Sequence, residues 1–245
     1  MVLKKIRQVL AIISFVLLTF FFLDFTGLIP VNRMPLADIQ FVPALLAHSL
    51  IITGILLLMT LLFGRIYCSV ICPLGIFQDL IYRIGKRIRP KKKNKYSGEK
   101  RILRLLILAL TIISFFSGLT IILSILDPYS AYGRISTHLF SPVYVAGNNV
   151  LSSIFNHFGN YTFYNVEIIS RGLVSILIAV ITFLTVTILA ALYGRTWCNT
   201  VCPVGTILGY LSKLSFLKIQ IDETVCTSCG KCEKDCKASC IDSKN

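Results

Sequence analysis

Acidic residues are scarce in this chain. Its 245 residues include 11 Asp and Glu against 25 Lys and Arg, charged residues make up 15%, and histidine occurs three times. An ordinary soluble domain carries about a quarter charged residues, so an extensive water-facing surface is excluded. The sequence also lacks the period-two alternation of a membrane β-barrel. It has no Ser-His-Asp constellation and no histidine cluster, which removes the common hydrolase and histidine-ligated metal classes.

Apolar residues fill the space. They make up 55% of the chain, and the mean hydropathy is +0.77. They concentrate in four segments, 6–23, 45–63, 102–126 and 168–192. Each is near the roughly 20 residues an α-helix needs to cross a bilayer core. Backbone amides in lipid must be satisfied within the segment, so the segments are predicted to be four transmembrane helices. Arg104 and Arg171 lie near segment ends, where a long side chain can snorkel. Lys4, Lys5 and Arg7 precede the first segment as in a signal peptide, but "LDFTGLIPVNR" offers no small-x-small cleavage site. A retained anchor is therefore expected.

Basic residues set the orientation. With the amino terminus cytoplasmic, only Arg33, Arg134 and Arg171 of the 25 basic residues fall at or beyond the outer ends. The run "RIGKRIRPKKKNKYSGEKR" falls inside, as the positive-inside rule requires. This predicts a multi-pass protein of the bacterial cytoplasmic membrane with both termini cytoplasmic. The formal net charge of +14 is then explained by topology and attraction to anionic lipid, not by nucleic-acid binding.

The plan is used twice. "GRIYCSVICPLG" (64–75) and "GRTWCNTVCPVG" (194–205) each follow an apolar segment and precede an amphipathic tail, "IFQDLIYRIGK" and "TILGYLSKLSF". Both tails are expected as short helices on the inner surface. Two spans per half give both halves the same orientation, related by an axis along the membrane normal. The predicted fold is an all-α integral membrane bundle. Its parts are repeat 1 (1–90), a basic linker (91–100), repeat 2 (101–218) and a small cytoplasmic ferredoxin-like segment (219–245). The first outer loop, rich in proline, is expected to re-enter or lie at the interface. The second, from "DPYSAYGRISTHLF" onward, is expected to form an irregular or half-helical aromatic cap. His48, His138 and His157 are assigned hydrogen-bonding roles.

All nine cysteines fall on the inner side, where thiols stay reduced and open to ligation or redox chemistry. "CTSCGKCEKDCKASC" places Cys226, Cys229, Cys232 and Cys236 in the C-x2-C-x2-C-x3-C spacing of an iron–sulfur cluster, with Gly230 for the tight turn and Cys240 beyond. Structural zinc prefers two separated pairs. Cys68, Cys72, Cys198 and Cys202 supply two pairs. In each, the four-residue offset puts both thiols on one helix face if the helix continues, Pro73 or Pro203 breaks the amide ladder, and Gly75 or Gly205 permits a sharp turn. Pseudo-symmetry can bring both pairs to one four-thiolate site, holding a four-iron cluster in preference to zinc. Arg65 and Arg195 then stand nearby to tune it or to dock a partner.

These residues carry a resemblance. The twice-used Gly-Arg-x-aromatic-Cys-x-x-x-Cys-Pro-x-Gly and the distal cysteine run are similar to the membrane-bound polyferredoxins that supply electrons in periplasmic nitrate and nitrous-oxide reduction, and to related cytochrome-oxidase accessory proteins. The resemblance implies 4Fe-4S clusters and electron exchange with a quinone pool or a redox partner protein. It points to an electron-transfer subunit of a respiratory system in preference to a stand-alone enzyme. "DIQFVPALLAH" is the nearest candidate for a quinone contact, through Gln40 and His48. Two departures stand out. Lys237 replaces the proline that follows the fourth cysteine, and no second C-x2-C-x2-C-x3-C run follows. The abrupt "KASCIDSKN" favours a missing carboxy-terminal part over a single local cluster closed by Cys236 or Cys240. Two other functions remain open: an iron–sulfur assembly factor for a respiratory complex, and a metal-free thiol regulator working through Cys68/Cys72 and Cys198/Cys202.

The topology has a direct check. Single cysteines introduced at Asn94 and Asn148 should label from opposite sides of sealed vesicles, and labelling from one side contradicts the orientation.

Overall fold

The computed structural model describes residues 2–24, 38–47, 49–88, 100–157, 164–167 and 172–217, together with Cys226, Cys229, Gly230, Cys232, Glu233 and Cys236. Among these residues all regular structure is helical. The first half comprises α1 (Val2–Leu23), α2 (Phe41–Leu46), α3 (Leu50–Phe63), α4 (Tyr67–Val70) and α5 (Pro73–Ile88). α6 (Arg101–Phe116), α7 (Thr120–Leu126), α8 (Pro128–Ile135), a π-helical stretch (Ser136–Phe140) and α9 (Ser141–His157) follow. The chain closes its described bundle with α10 (Leu173–Tyr193), α11 (Thr196–Thr200) and α12 (Pro203–Leu211).

Two helices are long and apolar enough to cross a membrane, Lys5–Leu23 and Leu173–Tyr193. Only 11% and 22% of their apolar windows are buried, so their hydrophobic sides face outward, unlike core helices of a soluble protein. The other two segments differ from four uninterrupted spans. The second divides into α2 and α3, and α3 has 14 residues, about 21 Å at 1.5 Å per residue. The third breaks at Gly118, whose φ of 74° belongs to the left-handed region that favours glycine.

The start of the segment expected as an irregular or half-helical aromatic cap, α8, is helical and largely buried, whereas α9 is mostly exposed. Asp127 caps α8 by accepting from Ser130 N at 2.8 Å, and Pro128 follows at the first helical position, a strong start signal. Tyr132 is fully buried, with the rings of Phe15, Phe22 and Phe77 around it at 5.4, 6.2 and 6.1 Å between centroids. Thr19 donates its hydroxyl proton to Phe15 O and lies 2.7 Å from the Tyr132 hydroxyl. Since threonine has one hydroxyl proton, Tyr132 is the donor in that contact. Thus α8 ties α1 to α5 and does not cover the bundle.

The two halves interlock. The most extensive helix packing joins α5, the tail of the first motif, to α10 of the second half. Reciprocally, α12 packs on α3 and α6, and Phe216 N and Leu217 N donate to Leu61 O and Leu62 O at 2.9 and 3.1 Å. The first turns of both tails are therefore buried: Pro73 to Asp79 in α5, and Pro203 to Thr206 in α12. These first turns dock on neighbouring helices, while later positions of the tails, such as Leu80, Ile84, Leu214 and Phe216, are exposed.

Gly75 and Gly205 make this docking possible, and not as turn residues. Both sit inside helices with ordinary negative φ. A Cβ on Gly75 would overlap the carbonyl oxygen of Cys68, and a Cβ on Gly205 that of Cys198. Gly54, in contrast, has no atom within 4 Å of a built Cβ. Gly75→Ala and Gly205→Ala should each destabilise the protein by about 1–3 kcal/mol through overpacking. Gly54→Ala should leave thermal unfolding unchanged or later. Equal tolerance at all three positions contradicts the close-approach account.

Candidate metal centre

Each motif folds the same way. The long helix ends at Gly64 or Gly194, with φ of 70° and 71°. A single turn, α4 or α11, then carries the first cysteine. The second cysteine lies between that turn and the next helix, and its N–H donates to Tyr67 O or Trp197 O at 3.0 and 3.1 Å. Pro73 and Pro203 open the following helices. The two cysteines of a pair thus do not share one continuous helix face. They lie on either side of a helix start, whose free amides point toward the second sulfur. Gly205 N donates to Cys202 Sγ at 3.3 Å, and Gly75 N does the same for Cys72.

All four thiols are buried, Cys68, Cys72, Cys198 and Cys202 alike. They are brought together: every one of the six pairings among them lies within electrostatic reach. Gln78 Nε2 donates to Cys198 Sγ at 3.1 Å, so a side chain of the first half serves a sulfur of the second. Burial pushes all four thiols up. Cys198 rises to about 12, with burial as the main cause, Cys68 adding to it, and Arg195 and the Gln78 bond opposing. Arg195 and Arg65 both pull Cys68 back toward the thiolate.

No three of His, Cys, Asp or Glu among the described residues are placed to hold a single metal ion. A four-iron cluster takes one thiolate at each corner iron. The buried sulfurs, the amides aimed at them and the adjacent guanidiniums fit such a cluster.

Arg65 and Arg195 differ in their partners. Arg195 makes two parallel bonds to Asp79, Nε to Oδ1 at 2.7 Å and Nη2 to Oδ2 at 2.8 Å. Arg65 Nη1 instead donates to Asn199 Oδ1 at 3.0 Å. Asp79, Gln78 and Asn199 carry no motif signature, and sequence reasoning missed them. Their only signal was polarity at positions of an apolar turn. Gln40 is fully buried and accepts from the Tyr67 hydroxyl at 2.9 Å, which makes it a support for the motif. His48, Arg171 and Cys240 lie outside the described residues. An open cleft of about 200 Å³ runs between α1 and α5, bordered by Arg7, Gln8, Phe15, Ser69 and Asp79.

The distal cysteines stand apart in character. Cys226, Cys229 and Cys232 are exposed and Cys236 half-buried, and Gly230 has φ of 64°, as a tight turn between them demands.

The model of a 4Fe-4S binding domain matches the chain twice, over residues 45–92 and 175–221. The match is to an iron–sulfur protein. Both stretches contain a Cys-x-x-x-Cys-Pro pair, and neither reaches the distal run. YccM of Escherichia coli strain K12, by name an electron transport protein, is 29% identical over 79% of this chain and 47% of its own length. An uncharacterized protein of Methanocaldococcus jannaschii is 26% identical over 96% of this chain and 73% of its own. The methylamine utilization ferredoxin-type protein MauN of Methylobacillus flagellatus is 25% identical over 71% and 48%. The chain spans about half the length of YccM and MauN. No solved structure matches it. The chain is therefore similar to ferredoxin-type electron transport proteins in general, and the comparisons do not single out the nitrate or nitrous-oxide branch.

Burial makes a chemical prediction. In metal-free protein at pH 8, Cys226, Cys229 and Cys232 should alkylate quickly. Cys68, Cys72, Cys198 and Cys202 should lag by at least tenfold, because thiolate is the reactive form and burial withholds it. Mass spectrometry of timed iodoacetamide labelling reads this, and equal rates contradict the buried cluster of thiols.

Proposed function

We propose that the protein is a membrane-bound electron relay in which Cys68, Cys72, Cys198 and Cys202 jointly hold one 4Fe-4S cluster, with a second cluster on the distal cysteines. The observation that carries this reading is the meeting of two buried cysteine pairs from two iron–sulfur domain matches. Each matched half supplies two thiolates and a cluster takes four, so neither half is sufficient alone. When bound, the cluster supplies one-electron transfer.

The chain's own residues do the rest. Gly75 N, Gly205 N and Gln78 Nε2 aim protons at the sulfurs, which favours the charged form of those groups. Burial excludes water. Arg65 and Arg195 offset part of the thiolate charge, and they do so without an acid or base aimed at a substrate. The exposed apolar sides of α1 and α10 support a lipid environment, and the distribution of basic residues supports cytoplasmic termini in a bacterial inner membrane. A quinol is the donor in this reading, and a respiratory redox protein is the acceptor.

Two substitutions test it. In a chain whose Cys226 to Cys240 cysteines are replaced by serine, anaerobic reconstitution should give iron, acid-labile sulfide and a signal that dithionite bleaches. Cys68→Ser and Cys198→Ser should each deplete that same cluster by more than half. Loss with only one of them, or no metal in the parent, overturns the shared site and favours a thiol regulator.

A further inference from the structure

The repeat is broken at one position beside the thiols. Six residues after the second cysteine, the first half has Gln78 and the second has Leu208. Both are fully buried. Each lies three residues beyond the glycine that meets the carbonyl of the first cysteine in its own half. Leucine fills this place without a polar atom, so packing alone does not call for an amide there.

The Gln78 amide is committed at its nitrogen. Nε2 donates to Cys198 Sγ at 3.1 Å and to Leu74 O at 3.4 Å, which uses both of its protons. The Leu74 carbonyl fixes the orientation, because a flipped amide would set one oxygen against another. Oε1 is buried with no hydrogen-bond partner among the described residues, a costly state for a buried acceptor. A protonated thiol is a weak acceptor, whereas a thiolate is a strong one. The residue is therefore explained by the Cys198 sulfur in its anionic, ligating form. The second cysteines are served alike, by Gly75 N and Gly205 N. Cys198 has the Gln78 donor as well, and the matching Leu208 has no proton to give.

We propose that Gln78 tunes the four-thiolate centre, its N–H on the Cys198 sulfur raising the reduction potential. This rests on the iron–sulfur reading of the centre. One-electron reduction adds one negative charge, part of which falls on the ligand sulfurs. A fixed N–H aimed at one of them stabilises the reduced form relative to the oxidised one, and burial in a medium of low dielectric strengthens that effect. Gln78 belongs to the first half and Cys198 to the second, so this tuning exists only while the halves are docked. Gln78 is a positioning residue that acts through a ligand and touches no substrate.

The test is an EPR-monitored redox titration of the full-length chain with its distal cysteines replaced by serine, so that a single centre reports. Gln78→Leu copies the residue of the other half, and Gln78→Met keeps the length of the side chain while removing its protons. Each should retain iron and sulfide and lower the midpoint by an amount equal to a tenfold change in the oxidised-to-reduced ratio, about 59 mV for one electron. An unchanged or raised midpoint in a variant that keeps its iron and sulfide overturns this inference and leaves the relay reading standing. Loss of the centre in both variants gives Gln78 a role in assembly in place of tuning, and overturns it as well. A parent chain with no reducible centre overturns the inference and the relay reading together.

Discussion

The contact of Gly75 with the Cys68 carbonyl, and of Gly205 with that of Cys198, governs the rest of the structure. Each brings the start of an amphipathic helix directly onto the turn that carries the first cysteine. A methyl group at either place would push the helix away. With the helix held there, the amide of the same glycine reaches the second sulfur, and Pro starts the helix without wasting an internal hydrogen bond. The tail then runs to the other half's long helix, α5 to α10 and α12 to α3. Two half-sites thereby become one.

Much of this was legible in the residues. The duplicated motif showed that two equivalent pairs existed, and the apolar runs gave the main helices. Periodicity could not show that Gly75 and Gly205 serve close approach, because a glycine after a proline reads equally well as a turn. Nor could it place Asp79 or Gln78, whose roles arise only once α5 packs against the other half. The Asp127-Pro128 start of α8 was readable as a helix cap. The aromatic content of that segment masked the signal by resembling an interfacial belt, whereas Tyr132 is at the centre of the core. Arg104 was misread for a related reason: it is 4% exposed and lies over the Tyr210 ring, because position in a segment predicts exposure only when no neighbouring helix covers it.

Electrostatics joins the fold to the chemistry. Four buried thiols in mutual reach resist ionisation, and a bound multivalent cation reverses that preference. The folded scaffold has already supplied the amides, the Gln78 donor and the arginines that an anionic centre needs. The halves are alike in backbone and unlike in side chains, since Arg195 meets the Asp79 carboxylate where Arg65 meets the Asn199 amide.

Mössbauer spectroscopy of iron-57-reconstituted protein, with the distal cysteines replaced by serine, tests the central claim most directly. The account predicts one spin-coupled four-iron cluster per chain, present in intact protein and built on both cysteine pairs. Two separate iron sites, or a mononuclear iron in each half, would show that the pairs act independently and contradict it.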